Sequence, residues 1–148
     1  MPQSLEDSII GNMASGYLCS ESVLKGAADH LGITWELLPA IATGLGAGIG
    51  GTANVCGALT GGAMALGLVH GRNGHDQDFL ACLAVTQELV EGFRSHFGSI
   101  ACRDVLGLDI STEDGRNAAI AKGFLNLPCK DCLAHVARYL AANLTRLG

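Results

Sequence analysis

Charge is scarce in this chain: Asp, Glu, Lys and Arg make up 16% of its 148 residues, and none of them occurs between Glu36 and Arg72. Aromatic residues are rarer still, at 5%, and there are only three prolines. The nine Lys and Arg are scattered and the formal net charge is -5, which excludes a nucleic-acid partner, because phosphate binding needs a clustered basic face. The uncharged run invites a membrane reading, but a spanning helix needs about 20 consecutive apolar residues. Pro39 and a glycine-rich turn cut the run into shorter pieces, so no membrane span is expected. The opening MPQSLEDSIIGNM lacks a basic segment before an apolar run and carries Glu6 and Asp7; no signal peptide is read, and a cytoplasmic location is expected. The alternating pattern of a half-buried strand is missing throughout, which leaves an all-α fold.

What the chain does have is apolar bulk (49% hydrophobic), 21 glycines and six cysteines. Its size suits one domain over residues 1–148 with a real core. The expected architecture is a helical bundle of about six to seven helices around a buried glycine-rich helix. Helical spacing predicts segments over Ser4 to Met13, from Ser15 and Gly16 through Leu31, around Trp35 to Thr43, and from about Ala53 to Val69. Others follow from about Asp76 to Phe97, from a cap at Ser99 to Gly107, from Ser111 and Thr112 to Lys122, and from Pro128 to about Leu144. The stretch Gly44 to Gly62 organises the rest: glycines at 44, 46, 48, 50 and 51 read as a turn. Thr52 or Asn54 is then a candidate cap that puts Cys56 in the first turn of the following helix.

Reduced thiols are the norm inside cells, so six cysteines favour metal or redox work over disulfide staples. Cys19, Cys56, Cys102 and the pair Cys129 and Cys132 each sit just past a cap signal. A helix N-terminus favours negative charge by about 0.3–1 kcal/mol, which makes such a thiol more acidic. Thiolates converging from several helix starts would suit zinc or an iron–sulfur cluster. Cys129-Lys130-Asp131-Cys132 is the only close pair; structural zinc sites usually show two. A thioredoxin-like dithiol would follow a strand, which this chain lacks, and no histidine follows Cys132 as covalent haem attachment requires. Cys82 falls on the apolar stripe of its helix and reads as packing. His135, three residues after Cys132, is a weaker candidate ligand. The glycine turn is followed by neither Lys-Ser nor Lys-Thr, which excludes a phosphate-binding loop.

These residues resemble the redox-active proteins named for a C…GCAxxG…C…C cysteine pattern, which are also similar to a domain of split-Soret cytochrome c. The resemblance rests on Gly16 to Cys19 with Glu21 to Leu24, on Gly50-Gly51 and the Cys56 to Gly61 stretch, on Phe97 to Arg103 around Cys102, and on Cys132 with Val136. It implies Cys19, Cys56, Cys102 and Cys132 as the functional and metal-holding set, with Gly57 beside Cys56 in the binding region. It further implies a cytoplasmic helical protein with a redox or iron–sulfur role. Cys129 is an extra cysteine beside the expected one and competes with Cys132 for the fourth place. The cytochrome's covalent haem motif is missing, so haem is not carried over.

The expected function is a small redox or electron-transfer protein whose clustered thiolates bind an iron–sulfur cluster, with zinc as the alternative metal. Such a protein works with a redox partner protein. Two alternatives remain open: a thiol–disulfide oxidoreductase in which Cys56 attacks and Cys132 or Cys129 resolves, and a helical interaction module stapled by zinc or by nothing. The small polar fraction and a glycine-lined helix face also suggest a homodimer.

Overall fold

The computed structural model describes residues 3–145; the outermost positions of the expected 1–148 domain lie outside that span. Described residues form α1 (Leu5–Ala14), α2 (Cys19–Leu31), α3 (Gly46–Ile49), α4 (Gly57–His70), α5 (Leu80–Phe97), α6 (Cys102–Leu106), α7 (Glu113–Lys122) and α8 (Cys129–Asn143). Two 3-10 turns, η1 (Ala40–Leu45) and η2 (Phe124–Asn126), complete the set, and no strand occurs among the described residues. The fold is therefore all-helical. The count exceeds six to seven because it includes the four-residue α3 in the glycine turn, where Ala47 and Gly48 depart from right-handed helical angles.

Several ends fall where local chemistry puts them. Ser4 accepts from the Asp7 amide at 3.1 Å and starts α1, and Thr112 accepts from the Gly115 amide at 3.0 Å and starts α7. Gly32 and Gly107 close α2 and α6 in the left-handed conformation that glycine adopts without a Cβ penalty. Three segments away from the glycine turn and α6 differ from expectation. The second helix begins at Cys19, because the Glu21 carboxylate takes the Leu18 amide at 2.9 Å and fixes the start there. The Trp35 segment is a bend followed by η1, held to α2 by Ser20 Oγ donating to Ala42 O at 2.8 Å. The fifth begins at Leu80 instead of Asp76, and the Asp78 carboxylate accepts the Leu80 amide at 3.0 Å.

The glycine turn is wound left-handed. Ala47, Gly48, Ile49, Gly50 and Gly51 all have positive φ, between 54° and 79°. At Gly48 a Cβ would press on the Ala53 and Asn54 backbone, so glycine is required there for space as well as for φ. This coil makes the chain double back, and Asn54 N donates to Gly48 O at 2.8 Å.

No residue of α4 is exposed, and the helix lies against α2, α5 and α8. Its Leu66 packs in one core with Ile9, Val23, Leu89, Phe93, Leu133, Val136 and Leu140, each at most 1% exposed. Its small residues set the spacing. A Cβ on Gly61 would lie 2.7 Å from Ser20 O and 3.0 Å from Ser20 Cα in α2, and one on Gly62 2.9 Å from Val136 Cγ1 in α8. Backbone cannot yield as a side chain does. Gly61→Ala should therefore lose about 1–3 kcal/mol to overpacking, outweighing the gain of about 1 kcal/mol that alanine brings to a helix. Chemical denaturation reads the difference; a stabilised variant would show that α2 and α4 are not in close contact.

Candidate functional site

An isolated antiparallel bridge between Val55 and Ala101 builds the site's frame. The Cys56 amide donates to Ile100 O at 2.8 Å, the Cys102 amide donates to Asn54 O, and the Arg103 amide donates to Ala53 O at 3.2 Å. Arg103 Nη2 adds a bond to Thr52 O at 3.0 Å. Residues 53–56 are thus committed to pairing with 100–103 and cannot join a helix. This corrects two expectations. The helix after the glycine turn starts at Gly57, with Cys56 as its N-cap residue instead of lying inside its first turn. Cys102 is the first residue of α6 instead of its third, and Ala101 is the cap.

Cys19 opens α2, Cys129 opens α8 and Cys132 lies one turn further along α8. These two helices and the bridged pair bring Cys19, Cys56, Cys102, Cys129 and Cys132 to the wall of one cavity of about 20 Å³, closed by Gly57, Ala58, Val105 and Leu106. That is room for about one water. Cys56, Cys102 and Cys132 are 8%, 7% and 1% exposed, and Cys19 and Cys129 are half-buried. All are free thiols. Gly57 is the point of closest approach: a Cβ there would overlap Cys19 Sγ and lie 3.2 Å from the Ser20 amide nitrogen. Only glycine lets α2 bring its first thiol over the start of α4.

The thiols are electrostatically unequal. The hydrogen bond from Cys132 lowers the Cys56 pKa below the ordinary thiol value, with help from the Ala58 and Leu59 amides and against burial. No cap bond of ordinary geometry forms at that helix end, so the amides act as nearby dipoles. The same hydrogen bond, followed by burial, raises Cys132 far above the ordinary value. Burial and then the Cys56 charge push Cys19 up to about 11 and Cys102 up to about 12, and burial raises Cys129 beyond that. One thiolate in this cavity suppresses the rest.

Cys82 lies outside the site. It is half-buried on α5, outside the core and away from the cavity, which departs from the packing role read in the sequence. The stripe it was assigned to is solvated at its start, with Phe79 and Leu83 46% and 55% exposed. Cys82→Ser should leave the titration of the other thiols unchanged and stability within about 0.5 kcal/mol. His135 also turns elsewhere, stacking on His96 at 5.0 Å between ring centres and edge-on to Phe93 and Phe97. Val105 and Leu106 were not singled out in the sequence; α6 is too short for periodicity to show which face it buries.

The described residues thus form an all-helical protein with five thiols gathered from four chain segments at one cavity. Residues 17–143 match the family described as "Putative redox-active protein (C_GCAxxG_C_C)", and the chain belongs to that family. No curated protein and no solved structure is significantly similar to it. No helix among the described residues is long and apolar enough to cross a membrane.

Proposed function

We propose that the thiol cavity is the redox centre of a small electron-transfer protein, and that Cys19, Cys56, Cys102 and Cys132 hold an iron–sulfur cluster there, with zinc as the alternative metal. The observation that carries this is the meeting of five thiols at one enclosed place. Thiolates are the ligands such clusters take, and four are enough, with Cys129 at hand as the extra. Among the described residues no three of His, Cys, Asp and Glu stand ready to hold a metal ion, so ligation requires the thiols to turn toward one another. The donor set fits in kind and number, but a space of about 20 Å³ takes a single metal ion, and a cluster requires the thiols to move apart toward the larger opening lined by Cys19, Cys102 and Cys129. A bound cluster supplies one-electron chemistry. What the chain supplies is a Cys56 thiol held more acidic than its four neighbours, and burial of Cys56 and Cys132 away from the larger opening.

Mutual repulsion among buried thiolates keeps four of the five protonated; a cation among them removes that penalty. Protein reconstituted with iron and sulfide without oxygen should be coloured and retain both elements. Colourless, iron-free protein with every thiol still titratable would overturn the reading.

A dithiol reading has its own support in Cys56 and Cys132, which line the same cavity and shift each other's pKa in opposite directions. It needs Cys56 to meet a substrate, yet Cys56 is nearly buried and does not line the larger opening beside the cavity. An enclosed acidic thiol suits a ligand better than an attacking group. Rapid alkylation of Cys56 alone near neutral pH would reverse this preference. The homodimer also stands as a proposal, supported by exposed Phe79, Leu80 and Leu83 at one end of α5; light scattering tests it.

A further inference from the structure

The thiol cavity adjoins a larger cleft of about 370 Å³, into which Cys19, Cys102 and Cys129 also face. Volumes of a few hundred Å³ are those of small-molecule sites. No charged side chain lines the cleft, and apart from the thiols its polar side chains are those of Tyr17 and Asn126. An anionic cofactor would lose its hydration without meeting a cation, and a cationic one would meet no carboxylate. The ligand that fits is uncharged. At the mouth stand the rings of Tyr17 and Phe124, 37% and 40% exposed, which offer flat apolar faces to another ring. Asn126 is held in place by donating to Lys122 O at 3.0 Å, and its amide can still serve a ligand carbonyl or hydroxyl.

We propose that this cleft binds a neutral, ring-shaped, largely apolar molecule of quinone type and holds it against Cys19, Cys102 and Cys129. That the ligand accepts electrons rests on the redox-centre reading; that it binds does not. The distinction matters for the test.

Duroquinone is a suitable probe, since methyl groups on all four ring carbons other than the two carbonyl carbons leave no unsubstituted position for thiol addition. Its binding to the reduced full chain is measured by calorimetry without oxygen, before and after iron loading. Ala14 ends α1, is exposed, and lines the cleft; Ala14→Phe should fill it without disturbing the core. The expected result is saturable binding at one site, weakened at least about tenfold by Ala14→Phe, the size of effect a mismatched apolar pocket produces. Ala84→Phe, on the exposed side of α5, should bind like the unaltered chain. An analogue with one methyl replaced by a carboxylate-bearing chain should bind at least about tenfold more weakly, because its charge is desolvated unpaired. No saturation up to about 1 mM, equal binding by the two phenylalanine variants, or equal binding of the carboxylate would overturn the proposal. Binding without iron loading would leave it standing while removing the redox centre, and iron loading without binding would do the reverse.

Discussion

Replacing Gly57 by alanine is expected to drive Cys19 out of the thiol cavity while leaving the fold in place. The added Cβ overlaps Cys19 Sγ, and its next neighbour, the Ser20 amide nitrogen, is 3.2 Å away. The side chain therefore gives way before the backbone does. Once outside, Cys19 loses the burial and the neighbouring Cys56 charge that hold its pKa near 11, and it should titrate close to the ordinary thiol value of 9.0 and alkylate faster. If the site holds metal, affinity should fall by about 10–100-fold, as when a ligand loses the contacts that orient it. Gly67 is the control on the same helix: nothing lies within 4 Å of a Cβ there. Gly67→Ala should leave Cys19 unchanged and stabilise the helix by up to about 1 kcal/mol. Identical Cys19 titration in both variants would show that α2 and α4 do not meet as described.

The second large effect is electrostatic. Among the five cavity thiols one should ionise below the ordinary thiol value, and no second one until Cys19 near pH 11 and Cys102 near pH 12, a titration best followed in the Cys82→Ser chain. The Cys56 charge contributes to the raised values of Cys19, Cys102, Cys129 and Cys132 alike. Cys56→Ala should therefore lower all four at once, Cys132 most, since its first cause is the bond to Cys56. The ultraviolet absorbance of thiolate follows the titration. The stability consequence has a definite sign. An unfolded chain ionises its thiols around 9.0, whereas the native chain holds four of them protonated well above that. Between these values the unfolded state has released more protons, so stability falls as pH rises from 9 toward 12. Cys56 acts oppositely, its contribution being lost as pH falls through its lowered native value. Four against one decides the direction above pH 9. Five thiols ionising together near 9.0 would remove the basis for a shared cavity.

Much of this site could be read from the sequence because helix starts carry local signals. Ser4, Thr112, Gly32 and Gly107 mark ends by side-chain capping or by backbone freedom, and they act within a few residues. The cysteines beside such ends were recognisable for the same reason. What stayed hidden depends on distant partners. The bridge from Val55 to Ala101 moves the start of α4 from Ala53 to Gly57, and nothing near Ala53 announces residue 101. The left-handed coil at Ala47 to Gly51 breaks a local rule at Ala47 and Ile49, where residues with a Cβ take positive φ because the surrounding chain holds them there. Cys82 shows the converse: a sound apolar stripe whose first turns find no neighbour. The large cleft is assembled from α1, α2, α6, α8 and η2, and no single segment encodes it.

The central claim is that five sulfur atoms from separate segments share one place, and oxidation of the metal-free chain tests it most directly. Treated with one equivalent of a thiol oxidant and mapped by mass spectrometry, the chain should form disulfides only within the set Cys19, Cys56, Cys102, Cys129 and Cys132, with Cys56 to Cys132 foremost and Cys82 untouched. Disulfides to Cys82, or none among the five, would contradict the account.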